Sequence, residues 1–241
     1  MRMVRCRQAV ALGATAVMLL VACGDDESSA PPTTASTTTT LSPVEVDKQK
    51  GQRVVLTAAD VPGFTQDAPD PDDDSPELEA AANACVNNNP LLVRLGEDDD
   101  PRGANSPDFS KGEELTVNSG VTFGENEDEA RAAMTAAGAA TFTTCFSNAL
   151  TAEFRKDPTF SNVSVTTARL PTLNAGDQSV GYRSTARARV SGQALTFYFD
   201  FTFFRVGRAV AVLSGLGFNT QFPEADRSRL VTTMAGRMAA P

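Results

Sequence analysis

Three arginines in the segment 183–190 recur at spacings of two and four residues, a pattern that could hold an anionic group. Arg183, Arg187 and Arg189 share one parity, and side chains of one parity line one face of a β-strand. Guanidinium forks match phosphate and carboxylate groups bidentately. Tyr198, in the next apolar segment, is predicted to lie on the same face. We therefore predict an anion-binding site at Arg187, Arg189 and Tyr198. The alternative is an ordinary charged surface over which acidic loops of the N-terminal half fold.

Most catalytic chemistries lack their residues in this sequence. The chain has no histidine, which excludes Ser-His-Asp triads and histidine-ligated metal sites. Carboxylates are abundant, and ten of the 30 lie in two acidic segments, 67–77 and 96–103, that we expect to be too mobile to fix a catalytic pair. Asp70, Asp72 and Asp74 have the first spacing of a calcium loop, but serine replaces its turn glycine and alanine its closing glutamate. The sequence predicts a protein that is not an enzyme and binds no metal or cofactor.

The first 23 residues have the pattern of an export signal that ends at a cysteine. Three arginines precede an apolar run from Gln8 to Ala22, which at about 1.5 Å per residue is too short to cross a hydrocarbon core of about 30 Å. The run ends in Leu-Val-Ala-Cys, which resembles the lipobox at which bacterial lipoproteins are diacylated and cleaved. We predict a signal peptide over 1–22 and a lipidated Cys23 as the mature N-terminus. The alternative is a structural cysteine that ends a core helix.

Cys85 and Cys145 are the cysteines that remain once the signal peptide and the lipidation site are set aside. An even pair in an exported chain indicates a disulfide. Closing a loop of about 60 residues would stabilise the fold by about 4 kcal/mol in the chain-entropy treatment. Two free buried thiols are the alternative.

Charge is unevenly distributed along the chain. The net charge is −9, and residues 24–130 hold 24 acidic and 6 basic side chains, whereas residues 131–241 hold 6 acidic and 12 basic ones. This acidic excess argues against a nucleic-acid partner, which would require a basic footprint.

The chain divides into a polar N-terminal segment and one domain. Residues 24–50 are rich in threonine, serine, proline and charge and have no apolar period, so they cannot bury enough apolar surface to fold. We predict a lipid-anchored tether over 23–52 and a domain over 53–241, a length that suits one domain.

Apolar periodicity in the domain predicts an α+β fold. We expect a short helix over Pro76–Val86, a half-buried strand around 115–123 and one long helix from Asn126 to Lys156, with Gly138 as a site for a kink. Strands follow, and Pro223 opens a closing helix. Consecutive hairpins make the sheet antiparallel, with about five strands packed against helices.

The segment Ser191-Gly192 is a plausible two-residue hairpin loop, and it fixes a register. Val190 then opposes Gln193, and small residues oppose large ones on one face, which would fit aromatic bulk beneath a helix layer. On the other face the same register sets Arg183 opposite Asp200 and predicts an ion pair.

Several motifs together resemble a known family. They are LTAADVPGF at 56–64, one cysteine before the first strand and one in the long helix, GDQSVGYR at 176–183, FFRVGRAVAVL at 203–213 and RMAA at 237–240. With the lipobox and the threonine-rich segment, they resemble the extracytoplasmic sensor-like domain of actinobacterial lipoproteins, shared with the extracellular part of certain mycobacterial serine/threonine kinases. The resemblance implies an antiparallel sheet packed with helices around a cleft, and a ligand-sensing role. The kinase version carries two disulfides, whereas this chain offers one cysteine pair.

These features predict a lipid-anchored, extracytoplasmic binding or sensor module on the outer face of the plasma membrane. Its predicted partners are the membrane, through Cys23, and a small anionic or lipid ligand or an envelope protein. A structural or adaptor lipoprotein that acts through protein contacts is the alternative, and an envelope hydrolase that uses carboxylates is a third.

Overall fold

One antiparallel sheet runs through the protein, whose computed structural model describes residues 41–68, 76–97 and 99–241. Its eight strands have the order β1-β3-β4-β8-β7-β6-β5, and β2 pairs with β4 beside this path. The strands are β1 (Thr65–Gln66), β2 (Ala104–Asn105), β3 (Phe109–Lys111), β4 (Leu115–Phe123), β5 (Phe160–Leu170), β6 (Gln178–Val190), β7 (Gln193–Val206) and β8 (Ala209–Phe218). Cys23 and the predicted signal peptide, 1–22, lie outside the described residues.

Six α-helices accompany the sheet in the described ranges. They are α1 (Pro43–Val54), α2 (Pro76–Cys85), α3 (Pro90–Arg94), α4 (Glu127–Ala137), α5 (Phe142–Lys156) and α6 (Glu224–Ala239), with a 3-10 turn at Ala58–Asp60. None of the helices in this part of the chain is long and apolar enough to cross a membrane.

The α+β prediction is confirmed, and its five strands correspond to the five long ones, β4 to β8. The three strands that the sequence did not indicate have two or three residues each. Such segments are too short for a period of two to be visible.

Alternation along the strands divides the apolar side chains between two cores. On β8, Ala211 and Leu213 belong to one core, whereas Val210 and Val212 face the other, since successive side chains point to opposite faces. The first core includes residues of α1 and α6: Val54, Leu230, Val231, Met234 and Met238. The second includes residues of α2 to α5: Cys85, Leu91, Leu92, Ala133, Phe146 and Leu150.

The hairpin register is confirmed at every predicted pair. Val190 pairs with Gln193, and the ladder continues through Arg183 and Asp200. Ser191 has φ 50° and Gly192 has φ 83°. A type I′ turn needs positive φ at both central residues, and its twist matches that of the strands it joins.

The prediction of one long helix over 126–156 is wrong, because α4 ends at Ala137 and α5 begins at Phe142. Side chains of the sheet bind the carbonyl groups at the end of α4. The Tyr182 hydroxyl donates to the Ala137 carbonyl oxygen at 2.7 Å, and the Arg169 guanidinium donates to the Gly138 carbonyl oxygen. These donors replace the backbone bonds that continuation of the helix would have made.

The predicted boundary of the tether at residue 52 is also wrong, because α1 begins at Pro43 and belongs to the domain. Ser42 and Glu45 form a capping box, and proline occupies the first helical position. The buried Asp47 carboxylate accepts from Arg208 at 3.0 Å and pairs with Arg102 at 3.4 Å. Caps and ion pairs therefore hold a helix that has little apolar periodicity of its own, which is why composition alone missed it.

The second acidic segment is ordered around Asp100, contrary to the expected mobility of 96–103. The Asp100 side chain is buried and accepts hydrogen bonds from the Thr122 hydroxyl and, at 3.1 Å, from the Arg102 backbone N–H. The Lys48 amine donates to the Asp100 carbonyl oxygen at 2.8 Å. Asp100 is therefore held between α1 and β4.

A disulfide joins Cys85 at the end of α2 to Cys145 on α5, as predicted. The two Cα atoms are 5.5 Å apart, and the bond spans a sequence separation of 60. It closes a loop that contains α3, β2 to β4 and α4.

Candidate anion-binding site

The predicted anion-binding residues lie together on one face of the sheet, near the turn between β6 and β7. Arg187 pairs with Thr196, and Arg189 pairs with Ala194. Tyr198 follows on the same face of β7, opposite Thr185. Both arginines are exposed and Tyr198 is half-buried, so α6, which packs on this face further along the strands, leaves this part of the sheet open.

Strand β5 adds hydroxyl groups that the sequence did not indicate. Ser164 pairs with Arg187, and Thr166 pairs with Thr185. A register shift between Ser161 and Ser164 places them there, and a bulge of this kind leaves no pattern in the sequence. We call the whole surface the arginine face: Ser164, Thr166, Thr185, Arg187, Arg189, Thr196 and Tyr198.

Neither arginine of this face is neutralised by a carboxylate in the described ranges. Arg189 donates to the carbonyl oxygen of Gly192 at 3.1 Å. Arg187 makes no hydrogen bond or ion pair with any described residue. Asp100 of the second acidic segment lies against α1 and β4 instead. Asp98 and residues 69–75 of the other acidic segment are outside the described residues.

Arg183, the third arginine of this parity, serves the fold. Its Nε donates to Asp200 Oδ1 at 2.7 Å, and its Nη2 donates to Asp200 Oδ2 at 2.5 Å, so the predicted ion pair is confirmed. Arg183 also donates to the Phe222 carbonyl oxygen at 3.1 Å and to the Gln221 side chain. Its guanidinium is therefore fully engaged, which leaves Arg187 and Arg189 as the cations that can accept a ligand.

Burial dominates the titration of the Asp200 carboxyl. It raises the pKa of Asp200 above its ordinary value of 3.8, and the hydrogen bonds and charge of Arg183 offset this only in part. Arg183 thus stabilises the buried Asp200 carboxylate at one border of the arginine face. Asp200 does not pair with the exposed Arg187 and Arg189 further along the strand.

An open groove of about 250 Å³ lies on the opposite side of β5, against α5. Hydroxyl and amide side chains predominate among its lining residues: Thr143, Thr144, Ser147, Asn148, Val165, Thr166 and Thr167. The Ser147 hydroxyl donates to the Thr167 hydroxyl at 2.9 Å, and the Thr167 and Ser184 hydroxyl oxygens are 2.7 Å apart. The hydroxyls of Ser147, Thr167 and Ser184 are therefore already paired with one another.

The other buried carboxylates are also engaged within the fold. Asp47 is held by two arginines, and Asp100 by a hydroxyl and a backbone N–H. Among the residues described, no group of three or more histidine, cysteine, aspartate or glutamate side chains could hold a metal ion. Two charged groups of the arginine face therefore have unused bonding capacity, and their chemistry suits an anion.

Comparisons with known proteins concern the fold. No protein-family model matches the chain, and no curated protein matches it. The extracellular domain of PknH from Mycobacterium tuberculosis is similar with a TM-score of 0.43 and 12% sequence identity, over 79% of this chain and 95% of that one. LpqN, involved in cell envelope biogenesis of the same organism, is similar with a TM-score of 0.27 and 11% identity, over 55% of this chain and 60% of that one. The extracellular domain of PknH is of the kind that the motifs resemble.

Proposed function

We propose that this protein is a non-enzymatic binding module of the bacterial cell envelope, lipid-anchored at Cys23 on the outer face of the plasma membrane. In this proposal the arginine face binds an anionic group. The observation that carries it is that Arg187 and Arg189 are exposed side by side and that none of the described carboxylates pairs with them, on a protein whose net charge is −9.

The surroundings of the two arginines suit recognition of an oxyanion. Guanidinium groups donate in a planar fork, and hydrogen bonds between charged groups are stronger than neutral ones. The hydroxyls of Thr185, Thr196 and Tyr198 lie on the same face and can donate to further oxygens of the same group. The sheet holds all five side chains on rigid strands, which favours a preformed site.

The disulfide supports an extracytoplasmic location. Disulfides form and persist in oxidising compartments and are rare in the bacterial cytosol. The Cys85–Cys145 bond therefore agrees with export through the predicted signal peptide.

Binding to inorganic polyphosphate tests the anion site. The double variant Arg187→Ala with Arg189→Ala is expected to bind polyphosphate at least tenfold more weakly. Each exposed arginine contact contributes about 0.7 kcal/mol, and the sum of about 1.4 kcal/mol corresponds to a tenfold change in affinity. Its Tm should change little, since surface substitutions mostly stay within about 0.5 kcal/mol. Isothermal titration at low salt and differential scanning calorimetry measure the two quantities.

The matched control is Lys111→Ala with Arg131→Ala, which removes the same charge from exposed positions on β3 and α4. It should retain most of the affinity. An equal loss in the control would mean that overall charge rather than the arginine face binds the anion, and unchanged affinity in the test variant would exclude this site.

Fractionation of the producing bacterium tests the anchor. The wild-type protein is expected in washed membranes, and Cys23→Ala is expected in the soluble fraction, because the thiol that carries the lipid is gone. Cys6→Ala is the matched control, since that cysteine leaves with the predicted signal peptide, and it should remain in membranes. Retention of Cys23→Ala in washed membranes would contradict lipidation at this position.

A further inference from the structure

Four phenylalanines form a cluster at the β6–β7 turn end of the sheet, on the face opposite the arginines. The Phe154 ring lies 5.1 Å from Phe160 and 5.2 Å from Phe197, and Phe197 lies 5.3 Å from Phe218. All four are half-buried, and none belongs to either hydrophobic core. Leu216, two residues before Phe218, is 39% exposed. We call these five residues the aromatic end.

Cations flank the aromatic end on both sides. Arg155 follows Phe154 on α5, is exposed and makes no hydrogen bond or ion pair with a described residue. Arg189 pairs across the strands with Ser161, next to Phe160, but its side chain lies on the opposite face. Arg187 lies beside it on that face. Arginines thus lie on both faces of the sheet at this end.

The acidic residues near this end that the structure describes have partners, among them Glu77, whose carboxylate lies 3.7 Å from the Lys156 amine. Glu153 pairs with Lys156 at 2.8 Å, and Asp157 accepts from the Thr159 backbone N–H at 2.8 Å. None of the three arginines forms an ion pair with a described carboxylate, although the net charge of the chain is −9.

We propose that the aromatic end docks on the surface of an anionic phospholipid bilayer. The phenylalanine rings and Leu216 enter the interface, and Arg155, Arg187 and Arg189 contact lipid phosphates. This inference rests on the proposed function, because Arg187 and Arg189 belong to the arginine face, and it names the anionic partner.

A bilayer fits better than a small soluble anion because of how the groups are placed. A small anion could contact Arg187 and Arg189 but would reach neither Arg155 nor the rings, which lie on the other face of the sheet. The surface of a bilayer is extended and amphiphilic, so it can contact both faces of the sheet at once at the β6–β7 turn end. Half-exposed aromatic rings beside cations are typical of segments that lie at the membrane interface.

The chain is long enough for this docking on the bilayer that holds the lipid anchor. The Asp47–Arg208 pair places the beginning of α1 by the β7–β8 turn, at the opposite end of β7 from the aromatic end. Strand β7 has 14 residues, or about 46 Å. Eighteen residues lie between Cys23 and Ser42, and an extended chain of that length spans up to about 60 Å. A lipidated cysteine and a basic aromatic surface would then provide two membrane signals.

Sedimentation with lipid vesicles tests the proposal, using the full chain with Cys23→Ala so that no lipid anchor contributes. We expect binding to vesicles of equal parts phosphatidylglycerol and phosphatidylcholine, and little binding to phosphatidylcholine alone. Arg155→Ala should weaken vesicle binding about fivefold, the equivalent of about 1 kcal/mol for one arginine near an anionic surface. It should leave polyphosphate affinity unchanged.

The apolar part is tested by Phe160→Ser with Leu216→Ser, which should lower vesicle affinity at least tenfold while polyphosphate affinity is retained. The matched control is Leu41→Ser with Val46→Ser, which removes two side chains that are 41% and 47% exposed at the other end of the domain. This control should bind vesicles as the parent does. Should the aromatic variant unfold, the Arg155→Ala result alone decides.

Four results would overturn the docking proposal. Binding of polyphosphate without binding of anionic vesicles would refute it and leave the proposed function standing, whereas failure to bind either would refute both. Equal binding to neutral vesicles would remove the role of the arginines. Dimerisation that Phe160→Ser abolishes, without vesicle binding, would assign the aromatic end to a second copy of the chain.

Discussion

Replacing Cys85 and Cys145 together by serine is expected to lower the free energy of unfolding by about 4 kcal/mol. The bond spans 60 residues, and in the chain-entropy treatment its loss frees a loop of that length in the unfolded state. The attachment of α2 to the native fold also depends on the disulfide, because Cys85 is the one fully buried residue among those of α2 and the rest of the helix is half-buried or exposed. Urea unfolding of the parent and the variant, at equal protein concentration, measures the difference.

The parent treated with a thiol reductant is the control for this variant. It should unfold at the same urea concentration as the double serine variant, because both lack the same crosslink. Amide hydrogen exchange should also show that α2 opens before the sheet does. A loss below about 1 kcal/mol would mean that the packing of α2 and α5, and not the bond, holds these helices together.

Arg183→Ala is expected to cost about 3 kcal/mol at neutral pH. The substitution leaves the Asp200 carboxylate, which is 3% exposed, without its cation, and removing one member of a buried ion pair leaves an uncompensated charge. Burial already raises the pKa of Asp200 above 3.8, and without Arg183 the pKa should rise further. Chemical unfolding across a pH series measures the effect.

The pH dependence of this variant has a definite sign. A carboxyl whose pKa is raised by folding holds a proton in the folded state where the unfolded chain has lost it, so stability falls as pH rises from 3.8 through the folded pKa. The deficit of Arg183→Ala should therefore be largest at neutral pH and shrink on acidification. Adding Asp200→Asn to Arg183→Ala should remove the pH dependence. Arg131→Ala is the control for loss of an exposed ion pair, and it should lower the free energy of unfolding by less than about 0.5 kcal/mol. A deficit that does not change with pH would contradict the role of the Asp200 charge.

The long hairpin could be predicted because its information is local. Ser191-Gly192 fixes the turn, and the turn fixes every pair from Val190 to Tyr182 by counting. The same counting placed Arg187, Arg189 and Tyr198 on one face. These residues needed no knowledge of the rest of the fold.

Features that depend on distant partners were missed. Helix α1 is held by Asp47 and its two arginines, one of them 161 residues away. The break after Ala137 depends on Tyr182, 45 residues away. The aromatic end combines Phe154 and Phe160 with Phe197 and Phe218, whose meeting depends on how α5 packs on the sheet. Composition and apolar periodicity depend on residues that are close in sequence, so they cannot predict such contacts.

The position of β8 in the sheet has a consequence for the order of folding. Strands β5 to β8 join neighbours along the chain, but β4 pairs with β8 from Leu115↔Gly217 to Phe123↔Ala209. A polypeptide that emerges N-terminus first exposes β4 long before its partner arrives. Until then one edge of β4 is an unpaired template for other chains. Completion of the sheet is therefore expected to be the slow step, since pairing across so many residues delays folding, and truncation within residues 209–218 should yield aggregates instead of a smaller domain.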